Sequence, residues 1–183
     1  MSKLYVYMMR SRNKDNKDIE GFKERCKVVV DYEDNYSNID KMFDDFARKG
    51  LAGEKTRLYR SVNSRNENKI YKDLIIRLIK HEIEHEPFIT KINSLVNSVA
   101  LQCENRAESK WLFDFDSLDY RALQEFSDDL FNLDVIHYVH NTPNGYAIVC
   151  DHGFDTRKLM EKWKDYDITL KRDGLLFLDI KQY

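Results

Sequence analysis

The first 110 residues of this 183-residue chain alternate short apolar runs with amphipathic stretches, the pattern of an α/β fold. Short runs rich in β-branched and aromatic residues predict strands over 4–9, 28–32 and 58–62. Apolar residues at helical spacing predict helices after each of the last two strands. These helices cover about 38–49, 68–86 and 89–101, with Gly50 and Pro87 as stop signals.

The remaining residues carry a more regular pattern. Alternating segments predict strands over 111–116, 135–140 and 146–150, followed by a last strand or hairpin over 168–181. Helical patterns lie between them at 120–131 and 156–163, and Asn141–Gly145 has the composition of a turn. The order β-α-β-β-α-β is the RRM or ferredoxin-like plan. We therefore predict an α+β protein with a basic α/β and helical lobe (1–110) before an RRM-like lobe (111–183).

Two acidic residues on the first strand of the predicted second lobe suggest chemistry. Asp114 and Asp116 alternate with phenylalanines, so they share the face opposite the predicted core. Asp179 lies among apolar residues of the last predicted strand. Three converging carboxylates repel one another unless a divalent cation neutralises them, which predicts a Mg²⁺ or Mn²⁺ site. The structural alternative is that Asp116 begins a turn or caps a helix and Asp179 lies near a frayed end.

The charge of the chain is balanced overall but not along its length. Lys and Arg number 30 against 32 Asp and Glu, a net charge of −2. Residues 111–183 hold 8 basic and 14 acidic residues, and residues 1–110 hold 22 and 18. This division is consistent with a phosphate-binding wall facing a metal-binding wall, or with solvated surface charge. The candidate phosphate ligands are Arg57, Arg60, Arg65, Lys171 and Arg172.

Phe113-Asp-Phe-Asp116 resembles the first motif of the archaeo-eukaryotic primase superfamily, the primase-polymerases, and Leu178-Asp179 resembles its third. Thr142-Pro-Asn-Gly-Tyr-Ala-Ile-Val149 is similar to the segment that carries the second motif. The resemblance covers roughly residues 55–183. It implies an RRM-like catalytic half, two metal ions held by Asp114, Asp116 and Asp179, and metal-dependent nucleotidyl transfer.

The second motif departs from the family pattern. In the family it carries a histidine that contacts the phosphates of the nucleotide, and the matching position here is Ala147. Either His140 or His152 replaces that histidine, or the protein binds without polymerising. Two functions therefore stay open. One is a primase-polymerase-like protein that binds nucleotide or nucleic acid. The other is a catalytically inactive phage or mobile-element accessory protein that binds nucleic acid or a host protein.

A third hypothesis comes from His81-Glu-Ile-Glu-His85, which satisfies the HExxH pattern on a predicted helix. Histidines four residues apart share one helix face and can hold Zn²⁺, with the glutamate as general base. Against this, Pro87 ends the helix at once, and the third ligand is unassigned between Glu104 and His137. Partly buried structural histidines are the alternative explanation of the pattern.

The remaining features restrict the location of the protein. No apolar run reaches the length of a membrane span, and the first residues lack the apolar core of a signal peptide. The three cysteines lie far apart and form no CxxC motif. A disulfide framework is therefore not expected. These features predict a cytoplasmic protein that does not contact a membrane. Few Gly and Pro residues together with abundant Asn, Lys, Asp, Ile and Tyr favour a phage or mobile element in a bacterial host as its source.

Overall fold

A computed structural model describes residues 2–83 and 89–183. Within them the chain forms an α+β fold with two four-stranded antiparallel sheets and six α-helices. The strands are β1 (Leu4–Ser11), β2 (Arg25–Tyr32), β3 (Lys55–Ser61), β4 (Lys110–Phe115), β5 (His137–Thr142), β6 (Gly145–Asp151), β7 (Ile168–Lys171) and β8 (Leu175–Gln182). The helices are α1 (Asn13–Asn16), α2 (Tyr36–Arg48), α3 (Glu67–Ile83), α4 (Ile92–Ala100), α5 (Tyr120–Asn132) and α6 (Arg157–Lys162).

The chain divides into two compact units. Unit 1 comprises Met1–Glu108 and Leu178–Tyr183, and unit 2 comprises Ser109–Phe177. Each unit contains one of the two sheets and its own core. Because each core buries large apolar side chains, each unit has its own source of hydrophobic stabilisation.

The sheet of unit 1 has the strand order β2-β1-β3-β8. Side chains alternate along β1, so successive residues enter different cores. Tyr7 and Met9 pack with Phe43 of α2 on one face, and Val6 packs with Val99 of α4 on the other. This alternation explains why β1 is apolar at nearly every position although its neighbour β2 is not.

The sheet of unit 2 has the strand order β5-β6-β4-β7, and all three pairings are antiparallel. Phe113 and Phe115 of β4 point to one face, where they pack edge-on against Phe126 of α5. Trp163, which follows α6, contacts the same phenylalanine ring at a centroid distance of 5.4 Å. Asp114 therefore lies on the face of β4 opposite this aromatic core, as the alternation of the sequence predicts.

A two-residue turn joins β5 to β6 within the segment predicted as a turn, because Thr142 pairs with Gly145. Gly145 is required here by space. A Cβ at this position would lie 2.1 Å from the carbonyl oxygen of Phe115 and 2.7 Å from the backbone nitrogen of Ser117. The backbone of the hairpin at Gly145 consequently lies directly against the backbone at the end of β4, and any larger residue at this position would clash with it.

The predicted architecture is wrong for the last strand of the chain. Residues 111–183 were expected to form one sheet, but β8 joins the sheet of unit 1 beside β3. The fourth strand of the unit 2 sheet is the short β7 instead, and it pairs with β4. The predicted hairpin over 168–181 is therefore also wrong, because its two strands belong to different sheets.

Candidate functional site

The carboxylate of Asp114 is already engaged by a cation. Its register neighbours are Ala147 on β6 and Thr169 on β7. Lys171, two residues further along β7, donates a hydrogen bond from Nζ to Oδ2 of Asp114 and forms an ion pair with it. This lysine supplies the neutralising charge that the sequence analysis attributed to a metal ion.

The structure does not bring the three predicted metal ligands together on one sheet. Asp116 follows the end of β4, is exposed, and donates its backbone N–H to the oxygen of Asp167 at 3.0 Å. Asp179 lies on β8 in the other unit, and its Oδ1 accepts the N–H of Ile180 at 2.8 Å. Asp179 would share a sheet with Asp114 only if β8 belonged to the sheet of β4, and β8 pairs with β3 instead.

Asp114, Asp116 and Asp179 are not part of a cluster of metal ligands among the described residues. Among residues 2–83 and 89–183, no group of three or more His, Cys, Asp or Glu side chains is arranged to hold a metal ion. The helix after β4 also takes its cap from a different acid, Asp119, whose Oδ1 accepts the N–H groups of Arg121 and Ala122. Asp116 consequently does not cap that helix.

Three of the predicted phosphate ligands lie in unit 1 and serve mainly internal contacts. Arg57 is buried and donates to Asp15 at 2.5 Å. Arg60 donates to Glu33 at 2.8 Å, and its guanidinium lies 4.2 Å from the ring centroid of Tyr5. Arg65 is buried and forms isolated backbone bridges to Leu4 and Arg106.

The other two predicted phosphate ligands lie in unit 2. Lys171 is paired with Asp114, and the guanidinium of Arg172 lies 5.8 Å from the ring centroid of Trp111. The five basic residues are therefore divided between two units, where Arg57, Arg60 and Lys171 form ion pairs and Arg172 lies beside an aromatic ring.

The zinc hypothesis falls partly outside the described residues, because His85 is not among them. His81 lies near the end of α3 and is half-buried. Of the two conceivable third ligands, Glu104 lies in unit 1 and His137 in unit 2, where His137 bonds Ser127 and lies 3.0 Å from the oxygen of Val135. The imidazole of His137 thus already has a partner at each nitrogen.

A different basic surface lies at one end of the unit 1 sheet. The strand register places the end of β1, the start of β2 and the start of β3 at this end. Six exposed lysines lie there, which we call the lysine end: Lys14, Lys17, Lys23, Lys27, Lys49 and Lys55. None of the six forms an ion pair within the described part of the chain.

The lysine end also has a concave part. Lys23 and Lys49 line a cavity of about 190 Å³ together with Arg25 and Glu54. The exposed acids nearby are fewer than the lysines, and Glu24 is partly neutralised by Arg10 at 3.7 Å. An excess of positive charge therefore remains at this end, on a protein whose net charge is −2.

The loop after β1 is fixed by the side chain of Asn16. This residue is buried, and its amide nitrogen donates to the carbonyl oxygens of Arg12 and Lys55, both at 3.0 Å. Its oxygen accepts the N–H of Lys55 at 2.6 Å. The loop that carries Lys14 and Lys17 is thereby tied to the first residue of β3.

Two buried carboxylates reinforce this end. Burial acts to raise the pKa of Asp15, but hydrogen bonds and charge from Arg12 and Arg57 outweigh it and hold the pKa below its usual range. Burial likewise opposes ionisation of Glu54, whose pKa is nevertheless lowered by the N–H of Leu51 and by Arg25. Both acids are therefore charged at neutral pH, and they hold Arg12, Arg25 and Arg57 in ion pairs at this end of the sheet.

The sequence analysis missed the lysine end because its residues are spread from position 14 to position 55. A local signal was present. Residues 10–27 contain seven Lys and Arg against four Asp and Glu. What the sequence did not reveal is that buried acids neutralise the arginines and leave the lysines exposed, because that depends on tertiary pairs such as Arg57 with Asp15.

No family model, no curated protein and no solved structure matches this chain. Among the helices of residues 2–83 and 89–183, none has both the length and the apolar character that crossing a membrane requires.

Proposed function

We propose that this protein binds the phosphate backbone of nucleic acid through the lysine end of unit 1, without nucleotidyl transfer. The observation that carries the proposal is the set of six exposed lysines, without ion pairs among the described residues, on segments that buried side chains hold in place. Lysine binds phosphate as a point charge and carries no base specificity. The expected binding is therefore electrostatic, independent of sequence and strongly dependent on salt.

The spread of the lysines supports an extended polyanion over a small phosphate ligand. They belong to α1 and the segment between α1 and β2, to the starts of β2 and β3, and to the residue after α2, and the cavity at this end is lined by only two of them, Lys23 and Lys49. A small anion is usually held by several convergent donors, whereas a nucleic acid backbone presents charges at regular intervals along its length. The lysine end thus matches the second kind of ligand.

The strand order of unit 2 supports a ferredoxin-like arrangement for residues 110–171, with β4, α5, β5, β6, α6 and β7 as its elements. Its two central strands do not favour base binding. RNA-binding sheets of this type stack bases on aromatic residues of their open face. Here the face opposite the aromatic core carries none on β4 or β6, where it presents Lys110, Leu112, Asp114, Ala147, Val149 and Asp151, and three of these residues, Leu112, Ala147 and Val149, are buried.

The residue opposite Asp114 argues against catalysis. Ala147 lies directly opposite Asp114, so the position that matches the family histidine carries neither a donor nor a charge. The cation nearest to Asp114 is Lys171, which is bonded to it. Of the two functions left open by the sequence, we therefore favour the one that binds nucleic acid without polymerising.

The test measures binding of labelled single- and double-stranded oligonucleotides by fluorescence anisotropy over a salt series. We compare the triple variant Lys14→Gln, Lys23→Gln, Lys49→Gln with the control Lys72→Gln, Lys158→Gln, Lys164→Gln, which changes the net charge equally at exposed positions elsewhere. The first should weaken duplex binding at least about tenfold at low salt. It should also reduce the slope of log K against log salt by about 2 to 3.

The control triple should bind nearly as well as the unmodified protein. Equal weakening by both triples would mean that net charge alone governs binding, and it would contradict a localised site. An absence of binding at about 50 mM salt, where phosphate contacts are strongest, would refute the proposal.

A further inference from the structure

β5 is an outer strand of the unit 2 sheet, and its outer side is unpaired among the described residues. β5 is joined to β6 by a two-residue turn, and in such a hairpin the pair that flanks the turn exchanges backbone hydrogen bonds. Hydrogen-bonded pairs then recur at every second residue. The bond from the N–H of Asp151 to the oxygen of Ile136 follows this alternation. The backbone groups that point away from β6 belong to His137, Val139 and Asn141.

β5 lacks the devices that normally protect a sheet edge. Outer strands usually carry charged residues that oppose pairing with another chain. The other three outer strands conform: β2 contains Arg25, Lys27 and Asp31, β7 contains Lys171, and β8 contains Asp179 and Lys181. β5 has the sequence HYVHNT and contains no Asp, Glu, Lys or Arg.

A patch of exposed apolar side chains continues from this edge, which we call the edge patch. Phe131 and Ile136 border a cavity of about 360 Å³ beside His137. The exposed fractions in the edge patch are high: Phe131 74%, Leu133 46%, Ile136 63%, Tyr138 60% and Val139 42%. Large apolar residues of about 150–200 Å² each would then expose on the order of 500 Å² per copy.

We propose that β5 and the edge patch form a two-fold interface with a second copy of this chain, in which the two β5 strands pair antiparallel. The alternation permits a register centred on Val139, so that Val139 of each copy exchanges both backbone bonds with its counterpart. Tyr138 then lies beside His140 of the other copy, and an aromatic ring meets an imidazole across the ladder. This pairing extends the sheet of unit 2 to eight strands.

Charge and area both favour a second copy as the occupant. A two-fold axis brings each side chain near its own counterpart, so a charged edge would repel itself, and β5 carries no formal charge. If both edge patches are buried, the interface removes about 1,000 Å² of apolar surface from water, which reaches the lower limit for a specific interface. This inference concerns unit 2 and is independent of the proposed nucleic-acid binding.

The primary test is sedimentation velocity of the full chain over about 1 to 300 μM, which brackets dissociation constants in the micromolar range. The unmodified protein should shift from monomer to dimer with rising concentration. Val139→Lys places like charges opposite each other on the two-fold axis. It should therefore raise the dissociation constant of the dimer at least tenfold. Thr169→Lys introduces the same charge on β7, the other outer strand of this sheet, and should leave the dimer intact.

A charge-swap experiment separates loss of pairing from loss of folding. Val139→Lys and Val139→Glu should each be monomeric alone, and an equimolar mixture should restore the dimer, because opposite charges then face each other. Hydrogen exchange of the unmodified protein should also slow with concentration at Val139 and Asn141. A monomer at every concentration, or a dimer that Val139→Lys leaves unchanged, overturns the proposal.

Discussion

At the scale of single residues, Asp114 illustrates how a motif residue can have an internal partner. Its ion pair with Lys171 joins two neighbouring strands, and both side chains are partly exposed. A pair of this kind contributes between about 0 and 1 kcal/mol, because water screens the charges. Its role is therefore local, and no divalent ion is needed to neutralise Asp114.

The corresponding prediction concerns metal dependence. Mn²⁺ should leave the melting temperature of the protein unchanged, because a ligand raises stability only when it binds the native state. Asp114→Asn should lower the free energy of unfolding by less than about 1 kcal/mol, with or without the ion. Thermal unfolding with Mn²⁺ or EDTA, with Asp165→Asn as an exposed control, measures both. A rise in melting temperature that Asp114→Asn abolishes would restore the metal hypothesis.

The sequence pattern predicted which face of a strand a side chain occupies better than it predicted which residue that side chain contacts. The alternation of Phe113, Asp114 and Phe115 correctly separated the core face of β4 from the opposite face. In contrast, Arg57 was predicted as a phosphate ligand because its sequence neighbours are polar and basic. Its partner Asp15 lies 42 positions earlier, and nothing in the local pattern indicates that contact.

At the scale of elements, ion pairs of Asp15 and Glu54 connect the segment after β1 with the starts of β2 and β3. Asp15 and Glu54 both have a pKa below the usual range, because their arginine partners outweigh the effect of burial. A carboxylate whose pKa is depressed by folding stabilises the protein above its unfolded pKa, near 4. That contribution is lost as the pH falls through the lower, folded pKa.

Acid should therefore destabilise this end of the sheet. The free energy of unfolding should fall as the pH is lowered below about 5, and Glu54→Gln should weaken that dependence. At neutral pH the same change should cost about 1 to 2 kcal/mol, because Arg25 loses a charged acceptor. Urea unfolding over a pH series, with the exposed Glu20→Gln as control, tests this expectation. An unchanged pH dependence in Glu54→Gln would contradict it.

The elements themselves followed from the sequence, whereas their assignment to sheets did not. Within the described residues, the predicted strands and helices recur close to their expected positions, including the turn before Gly145, and the predicted end of the helix over 68–86 lies outside those residues. β8 was predicted as a strand but placed in the wrong sheet. Local periodicity shows that Leu176 and Leu178 suit a strand, but strand pairing is decided by contacts across the fold, here with β3.

At the scale of the whole molecule, the chain passes between its two units twice. It leaves unit 1 after Glu108 and returns at Leu178, so the last six residues complete a unit that begins at the other end of the sequence. Leu178 packs against the core that contains Phe43. Lys181 donates to Asp40 at 2.8 Å and also pairs with Asp44 of α2.

Leu178, near the end of the chain, should contribute to the stability of unit 1. Leu178→Ala should lower the stability of unit 1 by about 1 to 3 kcal/mol, because it removes apolar volume from a partly buried site. The control Ile180→Ala, on the same strand but more exposed, should cost less. Native-state hydrogen exchange should then show faster opening of amides in β1 and β3, with little change in β6 of unit 2, because each unit has its own core. Equal loss of protection in both sheets would show instead that the two units unfold as one cooperative body, and unchanged protection in β1 would contradict the role of Leu178.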